Sequence, residues 1–127
     1  MFSSDQSATT KMGGIASFER PIDLVHLARQ TLGDRALEQE ILSLYVKQAR
    51  SLLARIEQCG CGRDRSDLAH TLKGSSRAVG AWQVAQAAEA VEIVPPGRDA
   101  EFDAALKALH TCIEAACDTI GDLQRAH

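Results

Sequence analysis

The segment Phe102-Asp-Ala-Ala-Leu-Lys-Ala-Leu-His-Thr-Cys-Ile-Glu-Ala-Ala-Cys-Asp-Thr-Ile-Gly-Asp-Leu123 places apolar residues at 102, 106, 109, 113, 116, 120 and 123, in alternating steps of three and four. That period belongs to an amphipathic helix laying one stripe on a core, whereas a strand alternates its faces every second residue. The same steps recur upstream in Leu42, Tyr45, Ala49, Leu52 and Ile56. No segment of the chain shows strand-like alternation to set against them, so the spacing predicts an all-α protein.

Working outward, Pro95-Pro96-Gly97 separates the last helix from one carrying Val84, Ala88 and Val91. Gly80 marks a bend before that helix, and Asp64 or Ser66 is expected to cap the helix that precedes the bend. The second helix is expected over 35–58 and to stop at the segment Cys59 to Gly62, which holds two glycines. Before it, Pro21 suits a first helical turn, and Leu24, Leu27, Ala28 and Leu32 give a short apolar face over 22–32. Four substantial amphipathic helices with short connections imply an antiparallel four-helix bundle, with a short additional N-terminal helix laid across one end. Residues 1–18 are rich in Ser, Thr, Gly and Gln and are expected to form a flexible tail, leaving 19–127 for the bundle. Gly13-Gly14 lacks the following Lys-Ser/Thr pair of a phosphate loop.

The chain has 127 residues, room for one domain, and its 45% apolar content suffices for a single core. A net charge of −3 argues against general nucleic-acid binding, which needs a basic face. No hydrophobic run approaches the roughly 18 residues of a membrane span, and the N-terminus lacks the pattern of a secretion signal, so a cytoplasmic protein is expected. Cys59, Cys61, Cys112 and Cys117 are then expected to be reduced. Cys59-Gly-Cys61 lacks the spacer of a structural zinc site, so these are read as loop and core cysteines and no metal is expected.

Chemistry concentrates in Asp67-Leu-Ala-His-Thr-Leu-Lys-Gly-Ser-Ser-Arg-Ala-Val-Gly-Ala81. On a helix, His70, Lys73, Gly74 and Arg77 share one face, while Ala69, Leu72, Ser76 and Val79 form a neighbouring stripe that can face a core. Gly74 is the odd residue, since glycine inside a helix costs about 1 kcal/mol relative to alanine. A side chain there would lean toward His70, so its absence leaves the imidazole open to a large partner. With Arg63, the pair Lys73 and Arg77 forms a basic cluster on an acidic background, suited to an acidic partner pocket. His26, His110 and His127 lack such company and are read as solvated.

The run from His70 to Ser76, followed by Val79-Gly80-Ala81 and by Glu92, resembles the histidine-containing phosphotransfer (HPt) domain of bacterial phosphorelays. The likeness extends to a short helix, Gly33-Asp34 and a long amphipathic helix, and covers about residues 20–125. The resemblance implies that His70 accepts a phosphoryl group from a receiver-domain aspartate and passes it to another receiver. It implies that Lys73 neutralises charge on that group and that Glu92 reaches back to orient the imidazole ring. An imidazole is largely neutral at cytoplasmic pH and is a nitrogen nucleophile once a carboxylate fixes its tautomer. Phosphoryl transfer otherwise relies on positioning and electrostatics.

Magnesium and the aspartate would come from the receiver; no cofactor is expected on this chain. Nothing resembles a nucleotide site, so a phosphocarrier without ATP-dependent kinase activity of its own is expected. The implied partners are response-regulator receiver domains, a hybrid histidine kinase, or both, met by a monomer. A short approach to the His70 helix and a Trp at 82 depart from the commonest pattern and bear on partner choice. Two other readings stand beside this one: a helical adaptor that binds receiver domains without carrying phosphate, and a small enzyme using His70 and Glu92 as acid and base.

Overall fold

The computed structural model describes residues 20–59 and 62–126. The expected tail at 1–18, Cys61 and His127 lie outside these. Among the described residues there are five helices and no strand: α1 (Leu24–Thr31), α2 (Arg35–Gln58), α3 (Gly62–Val79), α4 (Trp82–Glu92) and α5 (Asp99–Arg125). None is long and apolar enough to cross a membrane.

Local chemistry sets the helix ends. Asp23 and Asp34 cap α1 and α2, their carboxylates accepting from the backbone N–H of His26 at 3.1 Å and of Leu37 at 3.0 Å. Because Asp23 is the cap, α1 starts later than its apolar face suggests, and Pro21 precedes the helix instead of occupying its first turn. At the other end α3 begins at Gly62, so Asp64 lies within the first turn, where its charge suits the helix dipole, and is not the cap. The Ser66 hydroxyl donates to the Glu92 carbonyl at 3.4 Å, tying α3 to the end of α4.

Two helices stop in the same way. At the end of α3, Ala81 N–H donates to Ser76 O at 2.8 Å and Gly80 N–H to Arg77 O at 3.2 Å, with Gly80 left-handed at φ 82°. At the end of α1, Gly33 N–H donates to Ala28 O at 3.0 Å and Leu32 N–H to Arg29 O at 3.5 Å, with Leu32 itself left-handed at φ 54°. A leucine in that conformation is strained, because its Cβ crowds the following carbonyl.

The core follows the sequence stripes. Leu42, Tyr45, Ala49, Leu52 and Ile56 of α2 are buried, and Leu53 joins them. Ala69, Leu72, Ser76 and Val79 turn inward from α3. From α5, Phe102, Leu109, Ile113, Ala116 and Ile120 are buried, with Leu106 and Leu123 packed at the margin. Helix α2 packs on α3, α3 on α4, α4 on α5 and α5 back on α2, while α1 rests against α2 and α3. One polar pair crosses this core: the hydroxyls of Tyr45 and Ser76 share a 2.7 Å hydrogen bond, and burial pushes the Tyr45 phenol well up. Burial also raises the thiols of Cys112 and Cys117, which makes them poor nucleophiles.

Helix α1 is fastened to the α3–α4 corner through one residue. Asp23 N–H donates to Gly80 O at 2.9 Å, and Trp82 Nε1–H donates to Asp23 Oδ2 at 2.9 Å. A Cβ on Gly80 would stand 2.9 Å from Asp23 O, so the corner needs glycine both for its left-handed backbone and for this approach. His26 packs edge-on against Trp82, ring centroids 4.9 Å apart, and is half-buried. One reading is corrected here. His26 is not solvated, contrary to expectation, and the expected bend at Gly80 gains a partner in the half-buried Trp82, which holds the N-terminal helix in place. His110 is exposed, as expected.

Candidate functional site

The inward stripe of α3 fixes the rotation of that helix, and the rotation sends His70, Gly74 and Arg77 outward. The His70 side chain is 66% exposed. Its Nδ1 lies 2.8 Å from Oε2 of Glu92, the last residue of α4. The ring's Nε2 has no protein partner among the described residues. The tight packing of α4 on α3 and the Ser66 bond to the Glu92 carbonyl bring this carboxylate within reach of a ring 22 positions earlier in the chain.

Lys73 departs from the expectation of an exposed cation. Its side chain is only 14% exposed, and its Nζ lies 2.9 Å from Glu92 Oε1. Glu92 thus divides its two oxygens between the ammonium and the imidazole. Contact with Lys73 foremost, and the hydrogen bond to His70 after it, hold the Glu92 carboxyl below the ordinary carboxylate range, against partial burial that acts the other way. At neutral pH the carboxylate is therefore ionised and can only accept. Nδ1 must then carry the proton, which leaves the lone pair of a neutral ring on the outward Nε2.

Gly74 contributes an open surface: a Cβ built there would meet nothing within 4 Å. Arg77 lies 3.8 Å from Glu89, both half-exposed or more, a loose pair worth little in stability. Arg63 is exposed at the start of α3. An open cleft runs where Ile41, Leu44, Tyr45 and Gln48 of α2 face Ser75, Ala78 and Val79 of α3. Half of Leu44 remains in contact with solvent there.

The structure brings together His70, Lys73 and Glu92 and leaves Gly74 open beside them. The Lys73–Glu92 contact and the Ser66 tie were not anticipated. A signal for the first was present, because residues 70 and 73 share a helix face, and a carboxylate that reaches one can reach both. For Ser66, and for the Asp23–Trp82 fastening, separations of 26 and 59 residues offered none.

This arrangement can present an oriented imidazole nitrogen to an electrophile brought by a large partner. The family model of the Hpt domain matches residues 40–123, more than half of the chain, whereas no curated protein and no solved structure matches. The matched region runs from within α2 into α5 and includes His70, Lys73, Gly74 and Glu92. A chain matched over this length, and helical throughout the described part of it, belongs to the Hpt domain family, whose members serve phosphotransfer in phosphorelays and interact with receiver domains.

Proposed function

We propose that this chain is a phosphocarrier in which His70 takes a phosphoryl group from the aspartyl phosphate of one receiver domain and delivers it to the aspartate of another. The observation that supports this reading best is the 2.8 Å contact of His70 Nδ1 with an ionised Glu92, which leaves Nε2 outward and nucleophilic. In the forward step the Nε2–P bond forms, the P–O bond to the aspartate breaks, and the electron pair leaves on the receiver carboxylate. The ring keeps its Nδ1 proton and becomes positively charged, a charge the Glu92 carboxylate stabilises. No proton has to leave during transfer, and delivery runs the same steps in reverse.

Lys73 contributes positive charge beside the ring, and Gly74 leaves room for the receiver to approach. The receiver holds the magnesium, and the phosphoryl group reaches this chain from a partner instead of from ATP. The four long helices, packed as a closed ring, form an antiparallel bundle with α1 as the short addition. In this reading the protein works as a cytoplasmic monomer of a bacterial relay, its partners being response regulators, a hybrid histidine kinase, or both.

Mixing the protein with phosphorylated receivers of the source organism tests the reading. Acid-labile, base-stable label is expected on the wild type and none on His70→Gln, with an unchanged melt because the ring is exposed. Stable receiver binding without any label on the wild type would identify a helical adaptor instead. Label retained by His70→Gln would remove His70 from the site.

A further inference from the structure

Helix α4 ends beside the His70 ring. Its last residue, Glu92, touches that ring, and Ile93 follows as the C-cap, its N–H donating to Glu89 O at 3.1 Å. The backbone alone makes this stop, and the Ile93 side chain is 69% exposed, so it adds little to the core. A lone apolar side chain on a surface is ordinary, and what sets Ile93 apart is where it stands. The other exposed large apolar side chains of the described residues belong to α1, α2 and the turn between them. The Tyr45–Ser76 bond sets the start of α2 beside the end of α3, whereas the Ser66–Glu92 bond sets Ile93 near the start of α3.

Which side of α4 carries Ile93 follows from Glu89. Residues four apart share a helix face, and Glu89 leans toward α3, lying 3.8 Å from Arg77. Ile93 therefore stands on the flank of α4 that borders the outward face of α3, the face of His70, Gly74 and Arg77. A folded domain that docks specifically covers about 800 Å² of its partner, a disc of about 16 Å radius. A donor that brings phosphorus to Nε2 of His70 centres such a disc near the ring, and the residue next to Glu92 falls inside it.

We propose that Ile93 is a specificity-determining residue, an apolar contact at the end of α4 that becomes buried against apolar side chains bordering the receiver's aspartyl phosphate. This rests on the phosphocarrier reading of His70. The ring and Glu92 supply chemistry common to every receiver, whereas an apolar side chain on the rim discriminates by what covers it. A receiver with a polar or charged group at the matching place leaves that group desolvated against isoleucine and docks more weakly.

The test compares wild type, Ile93→Ser, Ile93→Leu and, as a control, Leu32→Ser, which removes an exposed apolar side chain at the other end of the bundle. Phosphorylated receivers of the source organism are the donors, and initial rates over a range of receiver concentrations separate KM from kcat. Phosphoramidate gives the rate without a partner: its P–N bond breaks, its protonated nitrogen leaves as ammonia, and a P–N bond forms at Nε2.

With the receiver that the wild type prefers, Ile93→Ser is expected to raise KM by roughly fivefold to thirtyfold, the scale of losing most of an isoleucine's burial. Its kcat should stay within about twofold, as should KM for the least preferred receiver, so that the spread among receivers narrows. Ile93→Leu should keep most of the wild-type preference, Leu32→Ser should match the wild type, and phosphoramidate should label all four at one rate. An unchanged KM for every receiver, or a rise equal for all of them, would overturn the proposal. So would a slower reaction of Ile93→Ser with phosphoramidate, because the residue would then support the ring itself. If Ile93→Ser fails to fold, Ile93→Thr, which keeps the branched shape, carries the same comparison. A wild type that takes label from no receiver and from no phosphoramidate would sink the phosphocarrier reading instead. Calorimetric affinities of the receivers for wild type and Ile93→Ser would still decide whether docking depends on Ile93.

Discussion

In the proposed phosphocarrier the chemistry of the site turns on the Glu92 carboxylate, whose 2.8 Å contact with Nδ1 of His70 favours a proton on that nitrogen. Glu92→Gln removes the charge and keeps the size. Phosphate uptake is expected to fall roughly tenfold to a hundredfold, the usual scale for loss of a group that orients a functional histidine, and so less than for loss of His70. Single-turnover rates from a phosphorylated receiver measure this. The same substitution carries a pH signature. A carboxyl held below its ordinary range in the folded state adds stability above that range and loses it as the pH falls through the lowered value. Melts of wild type and Glu92→Gln should therefore differ at pH 7 and converge in acid. A gap that widens as the pH falls would contradict the Lys73 and His70 contacts as the cause.

At the scale of the element, α3 carries a glycine where a helix does not want one. Since a Cβ at position 74 meets nothing within 4 Å, close packing does not require the glycine. Gly74→Ala should raise stability by up to about 1 kcal/mol in a denaturant melt. Gly74→Gln should also fold, but its side chain would lean over the preceding turn toward His70 and slow transfer from a receiver. Transfer at the parental rate would mean that the open patch is not needed for docking. Helix α1 holds the opposite kind of misfit, a leucine in the left-handed position that Gly80 fills at the end of α3. Leu32 is 94% exposed and gives the core nothing. Leu32→Gly should stabilise the protein by roughly 0.5–1 kcal/mol net, the relief of strain exceeding glycine's greater loss of chain entropy. A lowered denaturation midpoint would show that Leu32 makes contacts in the folded protein beyond those described.

At the scale of the whole molecule, the four long helices close on one another and α1 is held to them at both ends, by Asp23 and by the buried Thr31 hydroxyl, which donates to Glu38 of α2 at 3.1 Å. Asp23 caps α1, accepts from Trp82 and donates its N–H to Gly80. Ile22 and Leu27 plug the core beside it. Trp82→Phe deletes the indole donor while keeping an aromatic ring against His26. It should cost about 1 kcal/mol, the net worth of one such hydrogen bond, and should increase amide exchange in α1 more than in α5. Phosphate uptake should be unaffected, because the fastening lies at the α3–α4 corner and not at the His70 ring. A uniform rise in exchange across all helices would show instead that α1 is one cooperative unit with the bundle.

Periodicity alone determined the helical class, the inward stripes of α2, α3 and α5, and the outward placement of His70. These depend on one helix burying one apolar face, and that information is contiguous in the chain. Helix starts were less legible, because a cap such as Asp23 competes with the apolar pattern and wins through its hydrogen bond to His26 N–H. The resemblance located Glu92, but its second partner came only from the folded chain, as did the covering of Lys73, the tie from Ser66 and the seat of His26 on Trp82. Each joins elements whose separation in sequence carries no period, and the distances are set by how closely α3 and α4 pack. The sequence by itself thus determined which helix faces turn inward and that His70, Gly74 and Arg77 turn outward. The tertiary structure decided which residues meet one another, because an ion pair or hydrogen bond across helices exists only once packing has brought the two backbones together.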